Sequence, residues 1–464
     1  TMKKIYLIAL CLPFLEIEAA VPEKIPFMID AGEFGAVEKI VDNPNHGMTT
    51  LEVDSILKIM SRIRSDFRIT YNEGLQVIQD KYPFVTEANI KDWISKKYIE
   101  VKEIDGKCYM FRKSVSNLDR LVPELSKFRR NELIQEDLKN EKVAINAIHS
   151  AKENGLSFPK AVTLKYTAKV KADAVPAGEM VRVWLPFPIE NERQSDIKLV
   201  SSSDKVTFSK GSIHNTVYME RKAEKGKPVN FEIVVSYKVR SQYYSPEFIM
   251  NNKKEYDKSS ELYRKYTATE YPQVILTSEM RKLAKQIVGR ETDPLMQASL
   301  VYDWIDAHFP WAGAREYSTI PNLAEYVLEN GHGDCGQVSL LYITLLRSLG
   351  IPARWESGYA VEPNKVGMHD WAEVYYEGIG WVPVDMSYGL IETAKDKNVM
   401  EFYKTGLDFH RMASNKGVGG KLSPEKKFVR SETLDFQLGE VEWSGGNLFY
   451  YKDWTPDVEL IRFE

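Results

Sequence analysis

Cys335, His369 and Asp385 are the residues whose types and order suit nucleophilic chemistry. A thiolate attacks a carbonyl carbon, an imidazole carries the proton it sheds, and a carboxylate holds the imidazole in one tautomer. The chain has 3 cysteines among 464 residues. Cys335 stands in Gly331-His332-Gly333-Asp334-Cys335-Gly336-Gln337, just ahead of a long apolar run. A buried cysteine behaves as a small apolar residue. That role suits a position inside an apolar stripe better than one flanked by glycines at its entrance.

Positioning the thiol falls to a helix. Val338, Leu341, Tyr342, Leu345, Leu346 and Leu349 recur at intervals of three and four, the spacing of one buried helical face. Asp334 suits an N-cap, Gly350 suits the C′ position, and Pro352 blocks continuation. Cys335 is thus expected in the first turn, where free N–H groups and the positive end of the helix dipole favour a thiolate.

A hairpin is expected to position the other two groups. His369 opens the β-prone run His369-Asp370-Trp371-Ala372-Glu373-Val374-Tyr375-Tyr376, Glu377-Gly378-Ile379-Gly380 marks a turn, and Trp381-Val382-Pro383-Val384-Asp385 returns. A five-residue loop from Tyr375 to Ile379 pairs Val374 with Gly380 and sets His369 directly opposite Asp385. Alternation along the strand then points Asp370 away from the thiol. Glu373 shares the His369 face but lies roughly 13 Å along the strand at about 3.3 Å per residue. Pro383 implies an edge strand or a bulge.

Gly-x-Cys-Gly at a helix start, Leu349-Gly350-Ile351-Pro352-Ala353-Arg354, Gly358-Tyr359, His369-Asp370-Trp371-Ala372-Glu373-Val374 and Gly380-Trp381-Val382-Pro383-Val384-Asp385 resemble the transglutaminase-like superfamily over residues 290–390. The resemblance implies an α+β, papain-like core in which a Cys-bearing helix packs on an antiparallel sheet bearing His and Asp. It also implies a catalytic Cys335-His369-Asp385 triad. One departure is Asp370, where the family usually has alanine. A thiol-dependent acyl-transfer enzyme follows, acting on peptide or glutamine-type amides through a Cys335 thioester. Hydrolysis, as by a protease or amidase, is expected ahead of cross-linking. A protein-glutamine transamidase is one alternative, and a retired catalytic fold serving adhesion or carbohydrate binding is another. The backbone N–H of Cys335 is the natural first oxyanion donor, with the Trp304 and Trp311 indoles as candidates for a second.

Composition narrows the remaining possibilities. A chain with 43% hydrophobic and 28% charged residues is ordinary globular protein. A net charge of −4 gives no electrostatic case for nucleic acid. No cofactor motif or zinc signature occurs, and His332-x-x-Cys335 lacks a third metal ligand, so neither a cofactor nor a metal is expected. The expected partner is a protein, peptide or cell-wall peptide substrate. Lys3-Lys4 before the apolar run Ile5–Leu15, with Ala19 and Ala20 following, reads as a signal peptide over 1–20. The mature chain is then exported, periplasmic or extracellular, with no transmembrane span. Lipid anchoring through Cys11 is disfavoured because Leu10 occupies a position that calls for a small residue. No disulfide between Cys108 and Cys335 is expected, since it would disable the site.

Three segments follow the leader. Residues 21–155 read as mainly helical, with helices at 51–67, 71–82 and 86–98 and a hairpin around Asp105-Gly106 that resembles a winged-helix module. Residues 156–245 alternate with period two and suggest a β-sandwich, with Trp184 in its core. Residues 246–464 carry helices at 277–290 and 293–308, the catalytic motifs, and a C-terminal β tail over 432–442 and 447–454. His410, late and solitary, is expected at the surface.

Overall fold

The computed structural model describes Pro22, residues 24–211 and residues 213–464; the leader and Cys11 lie outside them. The chain forms two compact units. One comprises the described residues up to Arg130 together with Pro310–Asp334, and the other comprises Asn131–Phe309 and Cys335–Glu464.

In the first unit, helices Thr50–Asp66, Tyr71–Lys81 and Glu87–Ser95 each start at a threonine capping box. There the hydroxyl accepts an N–H three residues on, and the side chain at that position accepts in return. Strands Val101–Ile104 and Lys107–Met110 form the expected hairpin. Asp105 and Gly106 both have positive φ, as a type I′ turn requires. The short strand Ile69–Thr70 completes a three-stranded sheet. Segment Pro310–Asp334 is bound into this unit. Asn117 exchanges two hydrogen bonds with the Gly313 backbone, Asp66 accepts the Glu316 N–H, and Tyr326 donates to Glu100.

The second unit contains a β-sandwich and the α+β core. The sandwich faces a five-stranded sheet against a four-stranded one. Side chains such as Leu164, Val183, Met219, Phe231 and Val235 fill the space between them. The closing strands join these sheets. Glu440–Trp443 pairs with Met180–Pro186, and Trp454–Phe463 pairs with Lys160–Val170. Trp184 is buried, as expected, and its indole donates to the Pro424 carbonyl at 2.8 Å.

The core sheet runs in the order Gly380–Val384, Lys365–Tyr376, Ala353–Glu362, Arg411–Asn415. Helix Cys335–Ser348 packs on its two central strands. Helices Ser278–Val288 and Pro294–His308 pack on that helix in turn. Gly358 lies where strands crowd, since a Cβ there would sit 1.9 Å from the Met412 carbonyl oxygen. Pro383 lies in the edge strand, where its missing N–H leaves no ladder bond unmade.

Candidate active site

Cys335 is the first residue of its helix. Its N–H belongs to the first turn, whose N–H groups have no partner within the helix. The far end closes as a Schellman motif. Gly350, at φ +81°, donates to the Arg347 carbonyl, and Ile351 donates to that of Leu346. The thiol is partly exposed.

The hairpin register differs from expectation by two residues. Tyr376 pairs with Gly380, Val374 with Val382 and Ala372 with Val384. The turn is therefore three residues, Glu377 to Ile379, with Gly378 at φ +86°. Because strand side chains alternate with period two, a two-residue shift keeps every residue on its assigned face. His369 thus meets Asp385 diagonally rather than directly across. Its Nε2 lies 2.8 Å from Asp385 Oδ2. Asp385 follows the end of the strand, and its N–H donates to the Tyr403 carbonyl.

A buried network surrounds that carboxylate. Arg411 donates to Asp385 Oδ2 from Nε at 3.2 Å and Nη2 at 2.9 Å, and its Nη1 reaches Asp408 at 3.2 Å. Ser387 donates to Asp385 Oδ1 at 3.2 Å, and the Tyr302 hydroxyl donates to the Asp385 carbonyl at 3.0 Å. Burial pushes the Asp385 carboxyl pKa up, but the His369 and Arg411 charges and hydrogen bonds outweigh it and hold it below its ordinary value. Asp385 therefore stays ionised as the acceptor for Nε2–H. That tautomer leaves Nδ1 of His369 as the nitrogen with a lone pair. The imidazole stacks on Trp371, with centroids 5.9 Å apart, and meets Tyr388 edge-on.

Asp370 overturns an expectation. It was to point away from the thiol, yet its Oδ2 lies 3.4 Å from Cys335 Sγ. Alternation says that His369 and Asp370 diverge; it does not say which of the two the helix terminus meets. Gln437 holds the other oxygen. Its Nε2 donates to Asp370 Oδ1 at 2.9 Å and sits 3.0 and 3.1 Å from the Gly358 and His369 carbonyls. Three surrounding acceptors fix which end of the amide is nitrogen.

The structure thus joins His369 to Asp385 and sets Cys335 against the strand residue next to His369. Sequence reasoning missed Arg411 and Gln437, which reach the site from 26 and 67 residues away. No local motif marks either one. His410, expected at the surface, is partly buried, with Nδ1 2.9 Å from the Val361 carbonyl and its ring stacked on Phe463. Glu373 is occupied by Arg354 and Arg193. The oxyanion candidates are engaged in packing: Trp304 lies against His308 and Phe309, and Trp311 lies under the Arg120 guanidinium. His332 is buried with Nε2 3.2 Å from the Lys97 carbonyl. Among the described residues, no three His, Cys, Asp or Glu side chains gather as metal ligands.

Residues 281–386 match the transglutaminase-like superfamily. The protein YebA of Bacillus subtilis is 27% identical over 139 residues, covering 26% of this chain and 19% of its own. A Haemophilus influenzae protein is 27% identical over 141 residues, covering 25% and 37% respectively. The chain therefore spans about a fifth and just over a third of those relatives. Among solved structures, a candidate cysteine protease of Cytophaga hutchinsonii overlaps 67% of this chain and 93% of its own at 12% identity, with a TM-score of 0.43. The periplasmic domain of TgpA from Pseudomonas aeruginosa overlaps 52% and 93% at 11% identity, with a TM-score of 0.25. A Cys-His-Asp arrangement on a transglutaminase-like core is consistent with thiol-dependent acyl transfer.

Proposed function

We propose that the protein is a cysteine-dependent acyl-transfer enzyme that hydrolyses peptide or glutamine-type amides, with Cys335 as nucleophile, His369 as proton carrier and Asp385 as its orienting anion. One observation carries this reading: His369 Nε2 is hydrogen-bonded to a buried, ionised Asp385 on the sheet that receives the Cys335 helix.

The Sγ–H proton passes to His369 Nδ1, and sulfur bonds to the amide carbon. The carbonyl oxygen becomes an oxyanion facing the N–H of Cys335. His369 returns its proton to the departing nitrogen as the C–N bond breaks, leaving a thioester and a free amine. Water then attacks the thioester carbon and gives its proton to His369. The carboxylic acid leaves, and the proton returns to sulfur. Hydrolysis is favoured over cross-linking because water needs no built acceptor site, whereas an amine does. The basic and apolar N-terminal residues support an exported location and an extracytoplasmic protein or peptide substrate.

The test is iodoacetamide labelling of Cys335 combined with peptide-library profiling, with and without a primary amine. Labelling that is faster than a free cysteine and slowed in H369A, with cleaved products carrying new carboxyl ends, is expected. Amine incorporation in place of cleavage would redirect the reading to transamidation. Labelling indifferent to His369, with no product of either kind, would overturn it.

A further inference from the structure

We propose that Gln437 is a positioning residue of the catalytic centre, whose side-chain amide fixes the strand backbone at His369 and thereby the reach of the imidazole toward Cys335. The proposal rests on the acyl-transfer reading and deepens it.

The strand beside His369 is irregular where the two meet. Gly358 pairs with His369 across the ladder. On its other side, strand Ala353–Glu362 slips against Arg411–Asn415. Ser357 pairs with Asn415 and Gly358 with Ala413, so Ser414 is an extra residue. A bulge of this kind interrupts the regular ladder and re-aims the chain, and bulges are over-represented beside active sites. The Gln437 amide enters at this point. Its Nε2 lies 3.0 Å from the Gly358 carbonyl oxygen, 3.1 Å from that of His369 and 2.9 Å from Asp370 Oδ1. One side chain thus ties together both residues of the Gly358–His369 pair and the residue that follows His369.

The amide is itself held in place. Gln437 is buried. Its N–H donates to Glu432 at 3.0 Å, and its carbonyl accepts from the Tyr359 hydroxyl. The preceding carbonyl, of Phe436, accepts from the Asn415 amide at 3.1 Å and the Ser414 hydroxyl at 3.3 Å. Glu432 also takes the N–H groups of Leu438 and Gly439, and Glu440 takes those of Ser431 and Glu432. Gly439 turns the chain at φ +99°, a conformation that suits glycine. Two buried carboxylates therefore close the segment from Ser431 to Glu440 on itself. Phe436 anchors it among Trp184 and Leu422. A group sets the geometry of a site only when its own position is locked by packing and hydrogen bonds.

Contacts to His369 fall on two levels. Asp385, Trp371 and Tyr388 meet the imidazole ring. Gln437 meets the backbone from which the ring springs. Without the amide, the His369 peptide is freer to shift. The imidazole then faces sulfur less often, and the thiolate loses part of the cation that stabilises it. A misplacement of about 1 Å is enough to cost a reaction on the order of 10²-fold.

The experiment measures the second-order rate of iodoacetamide alkylation of Cys335 from pH 5 to 9 in the full chain. It compares wild type, Q437M, Q437A, H369A and H369A/Q437M, with C335A as the blank. Methionine keeps the length of the side chain without an N–H, and alanine removes it, so a fold defect in one variant leaves the other to read. Circular dichroism and urea unfolding report the fold separately. A neighbouring opposite charge moves a pKa by about one to three units, so partial loss of the imidazolium should raise the midpoint of the profile by about one to two. A more basic thiolate is the better nucleophile, with a Brønsted slope of about 0.4–0.5, so the net slowing below both midpoints is about 3- to 15-fold. A weakened fold lowers the urea midpoint without displacing the labelling profile of the folded protein. In the H369A background, Q437M should add nothing, because its effect runs through that imidazole. Profiles of Q437M and Q437A that superimpose on wild type, with H369A slowed, would overturn the role of Gln437 and leave the acyl-transfer reading standing. Equal slowing by Q437M with and without His369 would also overturn it, since the effect would bypass the imidazole. Labelling of H369A as fast as wild type would remove the triad and this proposal with it.

Discussion

Asp385 bonds the His369 imidazole, Asp370 is the next residue along the His369 strand, and the two carboxylates live in different surroundings. Asp385 is fully buried, bonded to His369, Arg411 and Ser387, and held below its ordinary pKa. Asp370 is buried, accepts from the Gln437 amide, and has Cys335 Sγ 3.4 Å from its Oδ2. A carboxylate beside two cationic partners can stabilise an imidazolium. A carboxylate beside a thiol offers an acceptor to the S–H. Residue type alone therefore does not assign a role; the side chains that pack around the carboxylate do.

The contrast breaks most directly at Asp385. D385N keeps the shape but loses the anion that fixes the His369 tautomer, so turnover on a cleaved peptide should fall on the order of 10³- to 10⁴-fold. An unchanged rate would mean that His369 is held by something else. R411M comes next, for it leaves a buried carboxylate short of its cation. Losing one partner of a buried ion pair costs about 3–5 kcal/mol, readable as a lower midpoint in urea unfolding.

Acid titration sharpens the same comparison. The Asp385 carboxyl titrates below its ordinary 3.8 in the folded protein. The stability it contributes is fully present above that value and is lost as pH falls through the lower, folded value. Wild type should therefore lose stability more steeply than D385N below about pH 4. Parallel curves would remove Asp385 from the account. Smallest is S387A, which removes one hydrogen bond to Asp385 Oδ1. The expected loss is about 0.5–1.5 kcal/mol in the same unfolding assay, with labelling of Cys335 nearly unaffected.

Local signals in the chain were read well. Helix Thr50–Asp66 replaces an expected 51–67, and Pro294–His308 replaces 293–308 with Asp293 as its cap. Each of these ends is marked by capping chemistry within a few residues. The Asp105-Gly106 turn was legible for the same reason. The hairpin after His369 was misjudged in length, because Glu-Gly-Ile-Gly signals a turn without saying how many residues lie outside the ladder. The error was even, so the His369–Asp385 partnership survived it. An odd error would have moved Asp385 to the other face.

Sequence alone determined the helix that Cys335 opens, the strand that carries His369, and the parity that lets Asp385 reach it. These depend on caps, periodicity and turn residues, which act over a few positions. Tertiary structure decided that Asp370 meets the sulfur, that Arg411 neutralises Asp385, and that Gln437 clamps the strand. It also drew the closing strands into the sandwich. Those outcomes depend on which distant segments pack together, and a side chain carries no record of a neighbour dozens of residues away until the core closes around both.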